Sequence, residues 1–271
     1  MVTSRASRPS IESLLRTAEQ AVTQTGEFLR SLALDERGVT ATEIGGREVK
    51  LHADRRAHER LCDLLADSGV PVVSEEDKAS HRNSLDDVWV IDPLDGSYNF
   101  SRELGHAVVS CAYVVGGIPV FGALYDVVDA STYVGGRDFP SRCNDRQISC
   151  SAVARVEAAV LCTGFPARFA FSNDVVDPYF GFISSFAKVR MTGSAAHSLC
   201  LLARGAADCY AERSIMFWDV AAGIAVAQGA GASLIMPEQY DIGPISVVVA
   251  TPAIAHAVTR IAADCRAFSP R

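Results

Sequence analysis

The segment that decides the fold is WVIDPLDGS at positions 89–97, where a short apolar run ends in a turn with two carboxylates. The apolar run is typical of the end of a buried strand. Pro93 fixes φ and Gly96 permits unusual backbone conformations, so the turn can be tight and rigid. Carboxylates held as close as Asp92 and Asp95 repel each other unless a positive charge lies between them, and Mg²⁺ prefers oxygen ligands. The segment therefore predicts either a magnesium-binding turn or, as for any D-x-x-D, an acidic turn in solvent.

Two further acidic segments accompany this turn. Glu75 and Glu76 follow a second short apolar run, and Asp219 lies in FWDVAAG at positions 217–223. A helical pattern begins at residues 217–223. Asp219 would therefore lie at the N-terminal end of a helix, where a negative charge is favoured. Acidic groups that follow apolar runs in three places indicate one shared site rather than three separate surface turns.

Together with Asp54, these segments resemble the inositol monophosphatase family, within the wider group of lithium-sensitive, magnesium-dependent phosphatases. That group is marked by an Asp, a Glu-Glu pair, D-P-[IL]-D-G-[TS] and W-D-x-A-(A)-G, and all four occur here in that order. The resemblance extends from the first helix to the tail. It implies a layered α-β-α-β-α sandwich, α+β in its first half and α/β in its second.

The resemblance also implies roles for individual residues. Two or three Mg²⁺ ions per site would be held by oxygens of Glu75, Asp92, Leu94, Asp95 and Asp219. The attacking water would be oriented or deprotonated by Ser97 with Asp54, and supported by Glu76. The substrate would contact Gly96, Ser97, Gly193, Ser194, Ala195 and Glu212. Two of these residues have simpler alternatives: Asp54 as a helix N-cap and Glu212 as a polar strand end.

Composition narrows the function classes. The chain has 271 residues, 49% hydrophobic and 21% charged, which is typical of a globular protein. Its net charge of −7 argues against nucleic-acid backbones as the main partner. Eight cysteines without a C-x-x-C pair favour the reducing cytoplasm, and no apolar run approaches the ~20 residues of a membrane helix. Family precedent implies a homodimer that acts on a small phosphorylated metabolite.

Periodicity predicts the elements and their grouping. A helix is predicted over residues 10–32, a second helix opens at Asp54, and residues 38–47 form a mobile loop that, by the resemblance, covers the metal site. Strands are predicted at 107–115, 118–128 and, after a turn at 144–145, at 147–150. The second half alternates: strand 159–162, helix 175–186, strand 188–191, helix 195–204, strand 208–212, helix 219–228, strands 233–236 and 247–250, helix 252–263. We expect two closely joined lobes, 1–154 and 155–271.

Two other patterns compete with the magnesium site. Cys162 and Arg168 have the C-x5-R spacing of cysteine-dependent phosphatases, in which a thiolate attacks phosphorus. This reading is disfavoured because Pro166 interrupts the backbone N–H groups that would hold the phosphate. In addition, eight cysteines make a chance match to the spacing easy. His197 lies on an apolar helical pattern and is predicted to be a packed interior residue rather than a metal ligand.

The sequence thus predicts a Mg²⁺-dependent phosphomonoesterase for a small polyol, sugar or nucleoside monophosphate. The alternatives are a 3′-phosphoadenosine 5′-phosphate, histidinol-phosphate or fructose-1,6-bisphosphate phosphatase, an RNA- or transcription-associated binding homologue, and a catalytically silent homologue. Two positions depart from the family pattern. Ser97 replaces the commoner threonine, and Gly229 replaces a glutamate, for which we expect a looser end of the preceding helix.

Overall fold

The computed structural model describes residues 9–32, 43–45, 48–50, 52–77, 79, 84–165, 169, 171–236 and 242–268. The helices in these ranges are α1 (Ile11–Ser31), α2 (His52–Leu65), α3 (Ser97–Ser101), α4 (Asn173–Ile183), α5 (Ala195–Ala203), α6 (Phe217–Gly229) and α7 (Pro252–Asp264). The strands are β1 (Glu43–Gly45), β2 (Glu48–Lys50), β3 (Val72–Ser74), β4 (Val88–Asp95), β5 (Val108–Val115), β6 (Ile118–Asp126), β7 (Ser131–Gly136), β8 (Phe139–Cys143), β9 (Arg146–Gln147), β10 (Val160–Thr163), β11 (Lys188–Arg190), β12 (Cys209–Ile215), β13 (Ser233–Met236) and β14 (Ile245–Ala250).

Two large sheets carry the fold. Strands β3 to β9 form a seven-stranded sheet in chain order, with β3 parallel to β4 and the other pairs antiparallel. The second sheet has the order β11-β10-β12-β14-β13. In it β10 runs parallel to both neighbours, whereas β14 pairs antiparallel with β12 and β13. Strands β1 and β2 form a separate hairpin.

Helices cover both faces of both sheets. Along β4, Trp89 and Ile91 pack with α1 and α2, whereas Val88 and Val90 face the opposite way and pack with α5 and α6. The far side of α5 and α6 packs on the five-stranded sheet, whose outer face is covered by α4 and α7. Because β4 is buried on both faces, its sequence is a continuous apolar run rather than an alternating one. The predicted α-β-α-β-α sandwich is confirmed.

The two middle helices approach each other closely. A Cβ on Gly223 of α6 would lie 2.6 Å from the Cβ of Leu199 on α5, a distance that real Cβ contacts do not reach. Only glycine therefore allows this helix spacing. Since α5 and α6 both begin at the candidate site described below, the spacing bears on the geometry of that site.

Most predicted helices and strands are found within a few residues of their expected bounds, but four expectations need correction. Helix α2 begins at His52, so Asp54 lies inside its first turn and is not its N-cap. The predicted mobile loop at 38–47 lies mostly outside the described residues, and its part 43–45 is strand β1. The predicted strand at 147–150 is wrong because β9 ends at Gln147, and the Cys150 N–H instead donates to the carbonyl of Ala230 at 3.0 Å.

The expectation of a loose end on α6 is also wrong. Helix α6 continues to Gly229, whose backbone packs against the β7–β8 hairpin. A Cβ at this position would lie 2.5 Å from the carbonyl oxygen of Phe139 and 2.6 Å from that of Gly136. The glycine therefore permits close packing, and a glutamate would collide with the hairpin.

The chain leaves the seven-stranded sheet after Gln147 and enters the five-stranded sheet at Val160. The predicted division into lobes at 154/155 stays a prediction. Of the helices in the described ranges, none combines the length and the apolar composition needed to span a bilayer.

Candidate active site

The turn at the end of β4 is built as a rigid unit. Asp92 Oδ1 accepts a hydrogen bond of 3.0 Å from the Leu94 N–H, and the pairing register with β5 shifts between Asp92 and Asp95. Gly96 follows with φ of 88°, and a Cβ there would lie 2.4 Å from the carbonyl oxygen of His106. Both the dihedral angle and the close approach require glycine. The turn therefore fixes the directions in which its carboxylates point.

Three carboxylates from separate elements converge at this turn. Glu75 follows β3, Asp92 lies on β4, and Asp219 lies in the first turn of α6, where its Oδ2 accepts from the Met216 N–H at 3.3 Å. One oxygen from each of the three lies within 4.8 Å of the others. Asp92 is 1% exposed. The structure thus brings together residues that are 17 and 127 positions apart in the chain.

The electrostatics of this cluster favour a bound cation. Burial raises the pKa of Asp92 well above its usual range, and the charges of Glu75, Asp95 and Asp219 raise it further. Burial likewise raises the pKa of Asp219, followed by the effects of Glu75 and Asp95. Groups that are costly to ionise alone become ionised when a positive charge binds among them. The donors are all oxygens, which is the ligand chemistry of Mg²⁺ and Ca²⁺ rather than of softer metals.

Asp95 is placed differently from the other predicted ligands. It is not part of the convergent group of three found among the described residues. Its Oδ2 accepts hydrogen bonds from Ser194 Oγ at 2.7 Å and from the Ala196 N–H at 2.6 Å. Burial raises its pKa to about 6, while the hydrogen bonds from Ser194 and Ala196 act to lower it. Asp95 therefore ties the turn to the N-terminus of α5, which leaves its other oxygen to face the cluster or a ligand.

The predicted water-orienting pair is in contact. Ser97 Oγ lies 2.5 Å from Asp54 Oδ1 and 2.8 Å from the carbonyl oxygen of Leu94. Its one proton can be donated to either acceptor. When Asp54 receives it, the Leu94 carbonyl and the lone pairs of Ser97 are available to other groups.

Helix α2 makes a second contact with the site one turn after Asp54. The ring nitrogen Nδ1 of His58 lies 2.9 Å from Ser74 Oγ, which accepts from the Glu76 N–H at 3.3 Å. Ser74 is fully buried, and Glu76 is half-buried. The helix that presents Asp54 thus also supports the turn that carries Glu75 and Glu76.

The predicted substrate residues lie on the other side of the turn. Gly193 has φ of 75°, and a Cβ there would lie 3.1 Å from Nδ2 of Asn99, which donates to the Thr192 carbonyl at 2.8 Å. Ser194 is the N-cap of α5 and accepts from the His197 N–H at 3.0 Å, and Ala195 is buried beside it. Of these residues, Ser194 is joined directly to the turn at the end of β4, through its hydrogen bond to Asp95.

Glu212 is buried within β12, the middle strand of the five-stranded sheet. It lies on β12 and is 6% exposed. A Cβ on Gly164, at the end of β10, would lie 2.5 Å from its Oε1. Burial raises the pKa of Glu212 to about 8, with a further contribution from the charge of Asp95. A polar strand end in solvent does not fit this burial, and the influence of Asp95 shows that Glu212 lies near the cluster.

The competing patterns are not supported by the structure. Cys162 is fully buried, and burial raises the pKa of its thiol to about 11, so it holds its proton at neutral pH and is a poor nucleophile. Arg168 of the same pattern lies outside the described residues. His197 is an interior residue, as predicted, and its Nδ1 lies 3.0 Å from Asp126 Oδ2.

Four residues near the site were missed from the sequence: His58, Ser74, Asn99 and Tyr210. A signal existed for His58, which follows Asp54 by four positions and therefore lies on the same helix face. No comparable local signal marks Ser74, Asn99 or Tyr210, because Ser74 meets His58 across 16 positions, Asn99 meets Thr192 across 93, and the burial of Tyr210 depends on the packing of the sheet.

The fold and the site together define an α/β sandwich protein with an oxygen-only candidate metal centre between its two sheets. Residues 10–267 match the profile described as the inositol monophosphatase family, and the chain belongs to that family, whose members are phosphatases. The resemblance seen in the sequence is therefore confirmed.

Relatives are similar along most of their length. An inositol-1-monophosphatase of Mycobacterium leprae is 30% identical over 270 residues, which cover 91% of this chain and 92% of the relative. A protein of Haemophilus influenzae named Nus factor SuhB is 27% identical over 228 residues, covering 80% and 83%. The solved structure of Mycobacterium tuberculosis SuhB has a TM-score of 0.80 at 27% identity and covers 94% of this chain and 98% of its own.

Proposed function

We propose that this chain is a Mg²⁺-dependent phosphatase that hydrolyses the phosphate monoester of a small polyol, sugar or nucleoside. The observation that carries the proposal is the convergence of Glu75, Asp92 and Asp219: one oxygen of each lies within 4.8 Å of the others, around the buried Asp92. Membership of a phosphatase family supports the reaction class.

The residues present suit a divalent cation of the Mg²⁺ type. Glu75, Asp92 and Asp219 would hold it, with Asp95 and the Leu94 carbonyl available for a second ion. A bound ion would supply positive charge that offsets the phosphate and polarises a water molecule for attack on phosphorus. Without that charge, the raised pKa values of Asp92 and Asp219 oppose full ionisation of the site.

Ser97 and Asp54 would handle the proton of the attacking water. Their side chains are 2.5 Å apart. When Ser97 donates to Asp54, its oxygen can accept a hydrogen bond from water and so direct a water lone pair at phosphorus. A proton lost by the water passes to Ser97 as Ser97 passes its own proton to Asp54. Glu76, fixed through Ser74, would support this water network.

The phosphate and the leaving group would bind on opposite sides of the turn. We propose that the N–H groups of Gly96 and Ser97 face the phosphate oxygens, since successive backbone N–H groups in a turn form anion sites. The leaving group would contact Gly193, Ser194 and Ala195, and Glu212 would accept a hydrogen bond from one of its hydroxyls.

A panel of phosphate esters tests the proposal. Inositol-1-phosphate, sugar phosphates and nucleoside monophosphates are assayed with Mg²⁺, with EDTA and with added Li⁺, beside adenosine 3′,5′-bisphosphate, histidinol phosphate and fructose-1,6-bisphosphate. We expect hydrolysis of at least one monophosphate in Mg²⁺ and none in EDTA. Preference for a bisphosphate would replace the substrate class, and equal rates in EDTA would reject the metal.

A second candidate function is favoured by the names of some relatives. Several similar proteins are named Nus factor SuhB, and this name supports the RNA- or transcription-associated binding role that the sequence left open as an alternative. Pulldown of the purified chain with and without nuclease tests such a role. Recovery of RNA or polymerase subunits that persists in an Asp92→Asn variant would indicate binding independent of catalysis.

We further propose a cytoplasmic homodimer that acts on a free metabolite. All eight cysteines are free thiols, as expected in a reducing compartment. Phe171, Phe180 and Met191 are large apolar side chains that are exposed in the single chain and are available to a contact between subunits. Sedimentation velocity distinguishes a dimer from a monomer directly.

A further inference from the structure

The hydroxyl of Tyr210 is buried and faces Glu212: its hydrogen bond acts to lower the pKa of that carboxyl, but no partner lies in full hydrogen-bond geometry. The side chain is fully shielded from solvent, and no acceptor or donor in the described part of the chain lies in hydrogen-bond geometry to its Oη. Leaving a buried polar group unpaired is destabilising, so such a group in a folded protein requires an explanation. Phenylalanine would fill the same space without this cost.

The position of Tyr210 in the sheet directs it toward the candidate site. It lies on β12 between Cys162 of β10 and Val249 of β14. Side chains alternate along a strand, so Tyr210 and Glu212 project from the same face. That face packs on α5 and α6, whereas Cys209 and Ala211 pack on the opposite side with α4 and α7.

The surroundings of the hydroxyl are acidic. Burial raises the pKa of Tyr210 well above its usual range, and the charges of Glu212, Asp95 and Asp219 raise it further. The phenol therefore keeps its proton and is a hydrogen-bond donor at the floor of the site. After burial, the charge of the Glu212 carboxylate, two residues along the same strand face, raises the pKa of Tyr210 most.

Glu212 needs such a donor. Its carboxylate lies against the backbone of Gly164 on one side, where any larger residue would collide with Oε1. A buried carboxylate is held in its charged form by donors that point at it. Tyr210 is a buried donor on the same strand face, and its hydroxyl acts on the Glu212 carboxyl without reaching full hydrogen-bond geometry in this structure.

We propose that Tyr210 is a positioning residue for Glu212: its hydroxyl donates to the Glu212 carboxylate in the substrate complex and aims the free oxygen at a hydroxyl of the leaving group. This inference rests on the proposed function, in which Glu212 binds the substrate. The hydroxyl, which acts on Glu212 without full hydrogen-bond geometry in the free chain, is then prepared for the bound state. It selects for leaving groups that carry a hydroxyl next to the ester.

The test is a Tyr210→Phe variant measured on two kinds of substrate in saturating Mg²⁺. One is the best polyol or sugar phosphate from the panel; the other is p-nitrophenyl phosphate, which has no hydroxyl for Glu212 to bind. We expect KM for the first to rise about tenfold, the loss typical of a hydrogen bond to a charged group, with kcat changed less than about twofold. KM for p-nitrophenyl phosphate should not change.

Stability separates this role from a structural one. Because the hydroxyl lacks a well-formed hydrogen bond in the free protein, Tyr210→Phe should change Tm little. Thr25→Val is the matched control, since Thr25 Oγ1 is also buried and unpartnered but lies on α1. We expect no change in either KM for the control. A Tyr210→Phe, Glu212→Gln double variant should bind the polyol phosphate no worse than Glu212→Gln alone.

The other possible outcomes contradict either the proposed function or the role of Tyr210 alone. Wild-type protein that hydrolyses neither substrate in Mg²⁺ overturns the proposed function and this inference with it. Active wild-type protein whose KM values are both unaffected by Tyr210→Phe overturns the inference alone. Equal increases for both substrates, or a clear fall in Tm, would make Tyr210 a structural residue.

Discussion

The substitution Asp92→Asn tests whether a cation neutralises the carboxylate cluster. Asparagine has the same shape, and its Oδ1 can still accept the hydrogen bond from the Leu94 N–H. The change removes one negative charge from a position 1% exposed, within 4.8 Å of oxygens of Glu75 and Asp219. It therefore alters charge with little change in packing.

The expected magnitude follows from Coulomb's law. Two unit charges about 4 Å apart in an effective dielectric of about 20 interact by about 4 kcal/mol. In the metal-free protein, loss of the Asp92 charge relieves repulsion of up to this size, less the part already relieved because the raised pKa of Asp92 favours its protonated form. With a cation bound, an attraction of at least about 4 kcal/mol is lost, which corresponds to about 10³-fold in kcat/KM.

The assay combines turnover with thermal unfolding in EDTA and in Mg²⁺. Wild-type protein should gain Tm on addition of Mg²⁺, whereas Asp92→Asn should match or exceed the wild-type Tm in EDTA and gain little from Mg²⁺. Asp145→Asn, at an exposed turn between β8 and β9, is the control for loss of one negative charge. It should behave as wild type in every condition.

Two results would refute the reasoning about Asp92. One is a variant with wild-type rates at equal folded protein, because the cluster would then not serve catalysis. The other is a variant that unfolds several degrees below wild type in EDTA, because the carboxylates would then stabilise rather than repel one another.

Three further predictions concern separate parts of the site. Ser97→Ala should lower kcat by about 10²- to 10⁴-fold, the range of general acid–base catalysis, while the Mg²⁺-induced rise in Tm persists; a normal kcat would remove Ser97 from the proton path. Cys162→Ser should keep turnover close to wild type, and complete loss would revive the thiolate mechanism. Burial, followed by the charge of Asp95, raises the pKa of Glu212 to about 8, so the folded metal-free protein binds that proton more tightly than the unfolded chain does. The contribution of this bound proton to the free energy of unfolding is present at acidic pH and is lost above pH of about 8. It falls by at most about 1.4 kcal/mol per pH unit as pH rises. Glu212→Gln should therefore flatten the dependence of Tm on pH in EDTA.

The order of helices and strands could be predicted because it depends on local periodicity. Apolar spacing placed β5, β6 and every helix from α4 to α7 within a few residues. Errors occurred where short-range patterns compete with tertiary contacts. The segment 147–150 is apolar enough for a strand, but Cys150 bonds to the backbone after α6 instead. Gly229 is the last residue of α6, and its missing side chain allows close packing on the β7–β8 hairpin rather than a looser helix end.

The candidate site was predictable as a set of residues but not as a geometry. Sequence order indicates that Glu75, Asp92 and Asp219 follow apolar segments, and only the fold brings their oxygens within 4.8 Å of one another. The bonds from Ser194 and Ala196 to Asp95 span about a hundred residues, at separations of 99 and 101 positions, and no local pattern encodes them.

The close contact between Gly223 of α6 and Leu199 of α5 sets the spacing of the two helices that hold Asp95 and Asp219 at the candidate site. Helix α5 anchors Asp95 through Ser194, while α6 delivers Asp219 from the opposite direction. A single methyl group added at Gly223 would push the two helices apart. It would thereby change the distances between the candidate cation ligands without altering any ligand. Substitutions at the α5–α6 contact should therefore impair the protein as substitutions of the carboxylates do. The reason is that this contact sets the spacing between the helix that anchors Asp95 and the helix that carries Asp219.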